Sequence, residues 1–442
     1  MDADEDLLDV ARAVIEAGPV CDACLGRTVA DRSHGLRNDE RGRALRVAVA
    51  LADDEPFEPT ATDDCWVCEG LTGDYDAWAE RAVDALDGHD FETYQVGCRL
   101  PPLYAENDRL LREDAGLDPE AGETLSSEFN REVGRRVGQA TGAEVDFERP
   151  DVLALCNVAR GDVDAQVNPA FVYGRYRKLE RDVPQTEWPC RECGGSGVQL
   201  GDDGEEPCGH CDGVGYMYET SVEEEIAPHV RAAMDGADAT FHGAGREDVD
   251  ARMLGPGRPF VVEVAEPRVR SPDVDAIETA VNEASDLVEV TDLALATYEM
   301  VERVKELDAQ KTYRAAVAFE ESVATDDLDA AVETLDGATV AQETPERVDH
   351  RRASKTRTRT AYEVTVERED DRHATLEIVG EGGLYVKELV SGDGGRTEPS
   401  LAGELGVGAT VEALDVLDVT GEDEAFADPE YLREAERSEA SD

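Results

Sequence analysis

The chain has 442 residues, more than one hydrophobic core usually organises, so we expect two to four domains. Its 43 basic and 103 acidic residues give a formal net charge of −60, yet 40% of the residues are hydrophobic, too many for a disordered coil. The acidity therefore indicates a halophilic host, because concentrated salt screens self-repulsion between surface carboxylates. In such salt the counterion-release contribution to nucleic-acid binding has mostly vanished, so an acidic chain remains compatible with an RNA partner recognised by shape, stacking and directed hydrogen bonds.

The amino terminus, "MDADEDLLDV", has neither a basic region nor an apolar core of a signal peptide, and no run of 18 apolar residues occurs. We therefore expect a cytoplasmic protein with no membrane association. Eight of the ten cysteines form four C-x-x-C pairs, which in a reducing compartment favour metal ligation over disulfides. The other two, Cys98 and Cys156, are expected to be small buried apolar residues.

Residues 1–72 form the first expected region. A short helix, "EDLLDVARAVIEAG", precedes "CDACLGR", and an arginine-rich helix separates this motif from "CWVCEGL". Four thiolates suit a tetrahedral zinc ion, and the candidate ligands of this structural site are Cys21, Cys24, Cys65 and Cys68. The alternative is a pair of redox dithiols, which would not need two such motifs.

Residues 73–182 form a mixed α/β region, with a helix in "YDAWAERAVDALDG", a strand in "FETYQVGCRL" and a long helix in "LSSEFNREVGRRVGQATG". The residues that follow alternate between apolar and polar, as in paired strands. The end of this stretch concentrates aromatic and basic side chains, which suit base stacking and phosphate contact, at Arg175, Tyr176, Arg177, Lys178 and Arg181. The alternative is a strand whose arginines pair with local acids.

Residues 183–220 contain a second cysteine cluster in "CRECGGSGVQLGDDGEEPCGHCDGVG". Its two C-x-x-C-x-G-x-G motifs enclose 14 residues, close to a zinc-ribbon spacing, and the candidate ligands are Cys190, Cys193, Cys208 and Cys211. The motif resembles the zinc-binding repeat of DnaJ-type chaperones, but two copies fall short of that array and no J-domain is present. We interpret it as a structural knob; a chaperone acting on proteins is the alternative.

Residues 221–420 return to α/β alternation, with strand-like segments interleaved with helices. One helix is expected to begin with Ser271 as its cap and Pro272 as its first residue, and another, "LYVKELVSG", to end at Gly392. The last segment, residues 421–442, reads as an acidic tail with no apolar face to bury.

The segment "FHGAGREDVDARMLGPGRPF", residues 241–260, places acids and arginines in a glycine-rich loop between strand-like segments. A carboxylate among arginines stays ionised, which makes it a poor general acid and a suitable nucleophile or base. The chain has no H-x-E deaminase motif, no P-loop and no G-x-G-x-x-G after a strand, so metal, nucleotide and dinucleotide chemistry are weak interpretations. The alternative is a structural turn in a non-catalytic, zinc-containing RNA-binding or RNA-chaperone protein.

The same loop resembles a known family. "AGRED" is similar to the A-G-R-[ST]-D catalytic loop of the pseudouridine synthases, and "GREDVDARMLGPGRPF", "CDACLGR", "YRKLERDVPQTEW" and "QKTYRA" are similar to the archaeal and eukaryotic class numbered ten. The resemblance implies an α+β multidomain protein. It implies a catalytic domain with a mixed, mainly antiparallel sheet and flanking helices, and an α/β accessory region that binds zinc and contains a THUMP-type RNA-binding module at residues 73–182.

The resemblance also implies residue roles. Asp248 would be the catalytic aspartate and engage the uridine C1′, Arg246 would insert where the target base leaves the stack, and Tyr313 would stack on the flipped uracil and help remove the C5 proton. Lys387 would pair with Asp248, and Leu389 and Tyr385 would line the substrate pocket. Taken alone, Tyr313 reads as a core residue and Lys387 as a surface lysine. Three further residues of the loop read as salt-bridging braces, namely Asp250, Arg252 and Arg258.

The implied substrate is tRNA, with the T-arm uridines at tRNA positions 54 and 55 as targets. The implied reaction isomerises uridine to pseudouridine without an organic cofactor or catalytic metal, and no obligate protein partner is evident. We expect the surroundings of Asp248 and the segment 173–181 to stand out as basic islands in an acidic molecule.

Overall fold

A computed structural model describes residues 7–201, 204–307, 309–345, 355–420 and 430–433. The chain divides into two compact units, Met1–Pro169 and Ala170–Asp442, and both combine helices with sheets, which confirms the α+β class. Within the described ranges, no helix is both long and apolar enough to cross a membrane.

The first unit combines six helices with a small sheet among its described residues. Its helices are α1 (Leu7–Glu16), α2 (Asp22–Arg27), α3 (Asn38–Asp53), α4 (Tyr75–Leu86), α5 (Pro102–Asp114) and α6 (Leu125–Thr141). Its strands are β1 (Thr93–Arg99), β2 (Glu144–Val145), β3 (Val152–Asn157) and β4 (Asp162–Val167). They form a sheet in the order β2-β1-β3-β4, in which β1 runs parallel to β2 and β3, and β4 is antiparallel to β3.

Helix α6 shows why the sequence folds this way. The Thr124 side chain caps its first turn by accepting a hydrogen bond from the Ser127 amide, and Gly142, at φ +77°, ends it in the left-handed conformation. One face of the helix is buried, and its Phe129 ring makes an edge contact with Trp78 of α4 at 5.7 Å between ring centroids. The expected amphipathic helix is therefore a central part of this unit's core.

The second unit is built on a ten-stranded sheet. Its strands are β5 (Ala170–Lys178), β6 (Val198–Gly201), β7 (Gly204–Pro207), β8 (Asp238–Gly243), β9 (Ala251–Ala265), β10 (Val288–Ala296), β11 (Gln310–Phe319), β12 (Thr339–Glu343), β13 (Thr356–Arg368), β14 (His373–Gly380), β15 (Thr397–Glu398) and β16 (Ala409–Thr420). Its helices are α7 (Val222–Ala233), α8 (Val274–Ala284), α9 (Tyr298–Glu306), α10 (Thr325–Leu335), α11 (Val386–Ser391) and α12 (Leu401–Leu405). Strands β6 and β7 form a separate hairpin.

The large sheet has the strand order β10-β5-β9-β16-β11-β14-β13-β12-β15, and β8 pairs with β9 outside this path. The pairs are antiparallel except β9 with β16, so the sheet is mixed and mainly antiparallel, as expected. Its apolar side chains form the main core together with the flanking helices. The parallel contact between β9 and β16 lies beside the glycine-rich loop that enters β9.

The structure bears on three expectations from the sequence: one domain boundary, one helix cap and one helix end. Strand β5, which holds most of the basic aromatic segment, lies in the sheet of the second unit between β9 and β10, so the boundary expected at residue 182 falls between residues 169 and 170. The side chain that caps α8 is Asp273, which accepts from the Ala276 amide, and not Ser271. Helix α11 does end at Gly392.

The carboxyl-terminal segment also differs from expectation where it is described. Residues 430–433 run along β10: the Thr297 amide donates to the Tyr431 carbonyl and the Arg433 amide donates to the Leu295 carbonyl. Tyr431 and Leu432 pack against a buried apolar cluster, so this part of the acidic tail does bury apolar surface. The rest of the tail lies outside the described residues.

Candidate active site

The loop Ala244–Asp250 joins β8 to β9 and is held in a fixed shape. Gly245 has φ +68°, a left-handed conformation that favours glycine, and a Cβ atom at Gly243 would lie 2.5 Å from the Gln185 amide nitrogen. The Ala244 amide donates to the Pro259 carbonyl, and the Ala251 amide donates to the Asp248 carbonyl. The glycines therefore allow a tight turn that projects Asp248 from two paired strands.

Asp248 meets an ammonium group from a distant part of the chain. Lys387, near the start of α11, places its Nζ 3.3 Å from the Asp248 carboxylate and 2.7 Å from that of Asp250. The Asp248 side chain is 35% exposed and that of Asp250 is 59% exposed. The expected pair between Lys387 and Asp248 is present, and Asp250 shares the same cation, so Lys387 fixes two carboxylates of the loop at once.

Tyr313 lies on β11, opposite Val416 of β16, and is 8% exposed. Burial raises the pKa of Tyr313 to about 12; the positive charge of Arg258 opposes this shift and the carboxylate of Asp248 adds to it. The phenol is therefore protonated at neutral pH.

Lys311 is a site residue that the sequence reasoning missed. Its Nζ lies 3.7 Å from the position that a Cβ atom of Gly245 would occupy, so it reaches the loop from the start of β11. The chain has only five lysines, and three of them, Lys178, Lys311 and Lys387, converge on the loop. The scarcity of lysine was the signal that could have found Lys311.

The remaining residues of the predicted pocket occupy different environments. Arg246 is exposed on the loop, where it can reach a macromolecular ligand. Leu389 is 1% exposed and belongs to the same apolar core as Tyr313. Tyr385 is half-buried before α11, and its hydroxyl accepts a long hydrogen bond of 3.5 Å from Arg357.

The basic aromatic segment is not an exposed island. Tyr176 and Lys178 are fully buried, so their interpretation as RNA contacts is wrong in this structure. The arginines of the set make contacts within the protein: Arg175 donates to the carbonyls of Pro256, Gly257 and Val419, Arg177 pairs with Glu289, and Arg181 donates to the carbonyls of Asp250 and Leu414 and pairs with Asp415. The alternative of a strand whose arginines pair with local acids describes Arg177, which lies on β5 and pairs with Glu289 of the adjacent strand β10.

Two cysteine clusters have the geometry of tetrahedral metal sites. In each, the four sulfur atoms lie within 4.8 Å of one another, and the members are Cys21, Cys24, Cys65 and Cys68 in the first and Cys190, Cys193, Cys208 and Cys211 in the second. The sulfur atoms of Cys21 and Cys68 are 3.7 Å apart in the first cluster, and two sulfur pairs of the second cluster are 3.8 and 3.9 Å apart. A tetrahedron with metal–sulfur bonds of about 2.3 Å has edges of about 3.8 Å, so both donor sets fit zinc.

Groups around the sulfur atoms support this fit. In the second cluster, backbone amides donate to sulfur, from Gly197 to Cys193 at 3.3 Å and from Gly215 to Cys211 at 3.1 Å. In the first, the buried guanidinium of Arg27 lies 3.4 Å from Cys24 Sγ. Amide and cationic donors stabilise thiolates, which are the form that binds metal.

Comparisons with known proteins cover nearly the whole chain. The family model described as "Pus10, C-terminal" matches residues 171–420, and "Pus10 THUMP domain, archaeal" matches residues 78–157. The tRNA pseudouridine synthase Pus10 of Halorubrum lacusprofundi is 63% identical over 97% of this chain and 100% of its own, and that of Methanothrix thermoacetophila is 41% identical over 94% and 95%. A solved Cbf5–Nop10–Gar1 complex aligns at 19% identity over 46% of this chain and 47% of the other with a TM-score of 0.30, a likeness too low to bear on function. The family models and the near-complete relatives agree: this chain belongs to the Pus10 family of tRNA pseudouridine synthases.

Proposed function

We propose that this protein isomerises the T-arm uridines 54 and 55 of tRNA to pseudouridine, with Asp248 as the nucleophile. The observation that supports this most directly is the fixed loop carrying Asp248, with the Lys387 Nζ 3.3 Å from its carboxylate. Membership of a tRNA pseudouridine synthase family makes tRNA the substrate. The choice of the T-arm rests on the resemblance of the motifs.

The reaction needs only groups that this chain supplies. An Asp248 carboxylate oxygen attacks C1′ as the bond from C1′ to N1 breaks, and the uracil leaves with the electron pair. The detached base turns, C5 bonds to C1′, and Asp248 leaves with its electrons. C5 then loses its proton and N1 gains one, so the product is an isomer of the substrate and no electrons or cofactor are consumed.

Tyr313 contributes a neutral ring in this scheme. With its pKa raised to about 12, the phenol outnumbers the phenolate by about 10⁵ to one at pH 7. The ring can stack on the displaced uracil and its hydroxyl can donate a hydrogen bond. Direct removal of the C5 proton by Tyr313 requires the rare phenolate, so stacking is the larger role we assign to it.

Three residues complete the proposed substrate contacts. Arg246 is exposed on the loop and occupies the space that the flipped nucleotide leaves in the RNA stack. Tyr385 and Leu389, before and within α11, support the pocket beside Lys387. The region matched by the THUMP model, residues 78–157, binds tRNA in this proposal, and the cytoplasm is the place where tRNA is met.

Both metals are structural in this proposal. Each cluster is complete with four cysteine ligands and so has no open position for a substrate or water. The expected metal content of the full chain is two zinc ions, measured by elemental analysis after dialysis against metal-free high-salt buffer. Catalysis that persists when zinc in the second cluster is exchanged for cadmium would agree with a structural role.

The decisive test replaces Asp248 by Asn, which keeps its size and removes its charge. Purified protein in concentrated potassium chloride is incubated with unmodified tRNA transcript, and pseudouridine is mapped by carbodiimide treatment and primer extension. We expect stops at the T-arm uridines with the wild type and none with Asp248→Asn, while tRNA binding is retained.

Asp250→Asn is the matched comparison, because Asp250 binds the same lysine through the same chemistry. We expect it to slow the reaction by less than about tenfold, since it loses a brace and keeps the nucleophile. Equal loss of activity in both variants, or no stops with the wild type despite tRNA binding, would overturn the assignment of Asp248 and favour a non-catalytic RNA-binding protein.

A further inference from the structure

We propose that the segment Tyr176–Gln185, which begins within β5, holds the catalytic loop Ala244–Asp250 in position and thereby orients the carboxylate of Asp248. We call this segment the cradle. This inference rests on the proposed function. The cradle contacts the loop at five of its positions, from Gly245 through Asp250, by hydrogen bonds or ion pairs. Its members act as positioning residues, since they hold the loop and do not themselves meet the reacting atoms.

The cradle contacts a buried charge cluster around Glu247, the loop residue directly before Asp248. The side chains of Glu247 and Arg258 are each 1% exposed, and Arg258 Nε donates to the Glu247 carboxylate at 2.8 Å. The hydroxyl of Tyr176 donates to the same carboxylate at 3.0 Å. Burial, together with the charge of Glu247, raises the pKa of Tyr176 well above its ordinary value, so the hydroxyl keeps the proton that it donates.

Lys178 holds the backbone of Asp248 itself. Its Nζ donates to the carbonyl oxygens of Val183 at 2.8 Å, Val249 at 3.0 Å and Asp248 at 3.2 Å. An ammonium group has three protons, and these three carbonyls accept all of them. The Nζ also lies 3.7 Å from Glu247, which balances its charge.

The two ends of the loop are held by the same segment. Gln185 Nε2 donates to the Gly245 carbonyl at 2.8 Å and to the Tyr176 hydroxyl at 2.9 Å, so one amide links the start of the loop to the charge cluster. Arg181 donates to the Asp250 carbonyl at 2.9 Å and pairs with Asp415 of β16. The backbone takes part as well, because the Asp182 amide donates to the Val249 carbonyl at 3.0 Å.

A purely structural role explains this cluster poorly. Buried ion pairs carry a desolvation cost that well-packed apolar side chains avoid, so an apolar cluster would stabilise the sheet at least as well. Unlike apolar side chains, the charged and amide groups make directional hydrogen bonds, and these contact loop carbonyls or the Glu247 carboxylate. Directed contacts matter where a shift of about 1 Å in a reacting group can lower a rate about 100-fold.

The test removes one hydrogen-bonding group at a time from the cradle and leaves its charged residues in place. Tyr176→Phe deletes one hydroxyl. Gln185→Glu keeps the shape of the side chain and turns its donor towards the Gly245 carbonyl into an acceptor. Thr28→Val is the matched control, because Thr28 is also buried and its hydroxyl donates to the Leu25 carbonyl at 2.8 Å in the first unit.

Three quantities are measured in concentrated potassium chloride: the single-turnover rate with enzyme in excess over tRNA, the Kd for tRNA, and hydrogen exchange of the amides of residues 244–251. We expect both cradle variants to lower the rate about 10- to 100-fold, leave the Kd within about twofold, and speed exchange in the loop. Thr28→Val should change neither the rate nor loop exchange. A cradle variant with wild-type rate and wild-type loop exchange would overturn the inference.

The exchange measurement separates this inference from the proposed function. If the wild type forms no pseudouridine, the proposed function fails, while faster loop exchange in Tyr176→Phe would still show that the segment holds the loop. If the wild type is active and the variants lose loop protection without losing rate, the cradle holds the loop without aiming Asp248, and the inference fails alone.

Discussion

The two cysteine clusters have the same four-cysteine ligand set but differ in how much apolar core surrounds them. In the first, all four cysteines are buried inside the extended apolar core of its unit, among residues such as Leu25 and Val67. In the second, the buried members of the cluster are cysteines alone among the described residues, and the hairpin of β6 and β7 beside it is mostly exposed. A bound metal ion would be one part of a larger core in the first case and would form most of the core in the second.

This difference determines how much of the structure should be destabilised when a metal ion is lost. Removing the ion from the first cluster leaves buried thiols in the middle of a cooperative unit, so the whole unit should respond. Removing it from the second leaves a short segment with little apolar surface to bury, so the response should stay local. This contrast predicts large losses of stability for variants at the first cluster and small ones for variants at the second.

The largest effect is expected for Cys68→Ser. Structural zinc contributes on the order of 10 kcal/mol of folding free energy in small zinc modules, and the loss of one thiolate removes most of it. Zinc content should fall from two ions to one, and proteolysis should degrade residues 7–169 while the second unit resists. Retention of two zinc ions with unchanged protease resistance would show that the first site is not metal-dependent.

The next effect is expected for Arg27→Met. Arg27 is fully buried, lies 2.8 Å from Asp108 and 3.6 Å from Glu128, and donates to Cys24. Removing it leaves the buried carboxylate of Glu128 without this cation, while Asp108 keeps only Arg112 at 2.9 Å, and breaking such buried pairs costs about 3–5 kcal/mol of unfolding free energy. Salt-dependent chemical unfolding measures the loss, and concentrated salt screens such a buried pair only weakly.

Arg109→Met is the comparison for Arg27→Met. Arg109 pairs with Glu106 on the surface of α5 at 2.6 Å, and both side chains are about half exposed. Exposed pairs are screened by solvent and contribute little to stability, so this variant should unfold at nearly the wild-type denaturant concentration. Equal losses in both variants would mean that burial around the first cluster does not govern stability.

The two clusters were predicted from sequence because their ligands are set by local spacing within each C-x-x-C pair. The pairing of Asp248 with Lys387 joins residues far apart in the chain, and only the family resemblance suggested it. Composition and periodicity carry no information about which distant helix meets a loop. The sequence did not reveal Lys311 for the same reason, although lysine is rare in this chain.

The segment around Tyr176 was misread for a different physical reason. Alternating aromatic and basic residues look alike on an RNA-binding surface and on a strand in the middle of a sheet. Strand β5 lies between β9 and β10, so most of its side chains are buried, including the polar ones. Buried polar side chains need partners, and the backbone of the loop Ala244–Asp250 supplies them. The position of a strand within its sheet is a tertiary property that its own sequence does not reveal.

A smaller effect is expected for Cys208→Ser. The second cluster should lose its zinc, and faster hydrogen exchange should appear only in residues 189–217, with the midpoint of global unfolding nearly unchanged. The rate of pseudouridine formation should stay within about threefold of the wild type, because the loop and its partners lie on other elements. Loss of function with the fold preserved would instead support the chaperone-like interpretation of the C-x-x-C-x-G-x-G motifs.

The smallest effect is expected for Leu200→Ser, on the hairpin beside the second cluster. Leu200 is 90% exposed, so replacing it removes almost no buried apolar surface, and the unfolding free energy should change by less than about 0.5 kcal/mol. Val67→Ala is the counterpart at the first cluster: Val67 is fully buried, and the loss of two methyl groups should cost about 2 kcal/mol. Chemical unfolding of both variants at one salt concentration measures the difference. If Leu200→Ser costs as much as Val67→Ala, the second cluster has an apolar core of its own, and the contrast between the two sites does not hold.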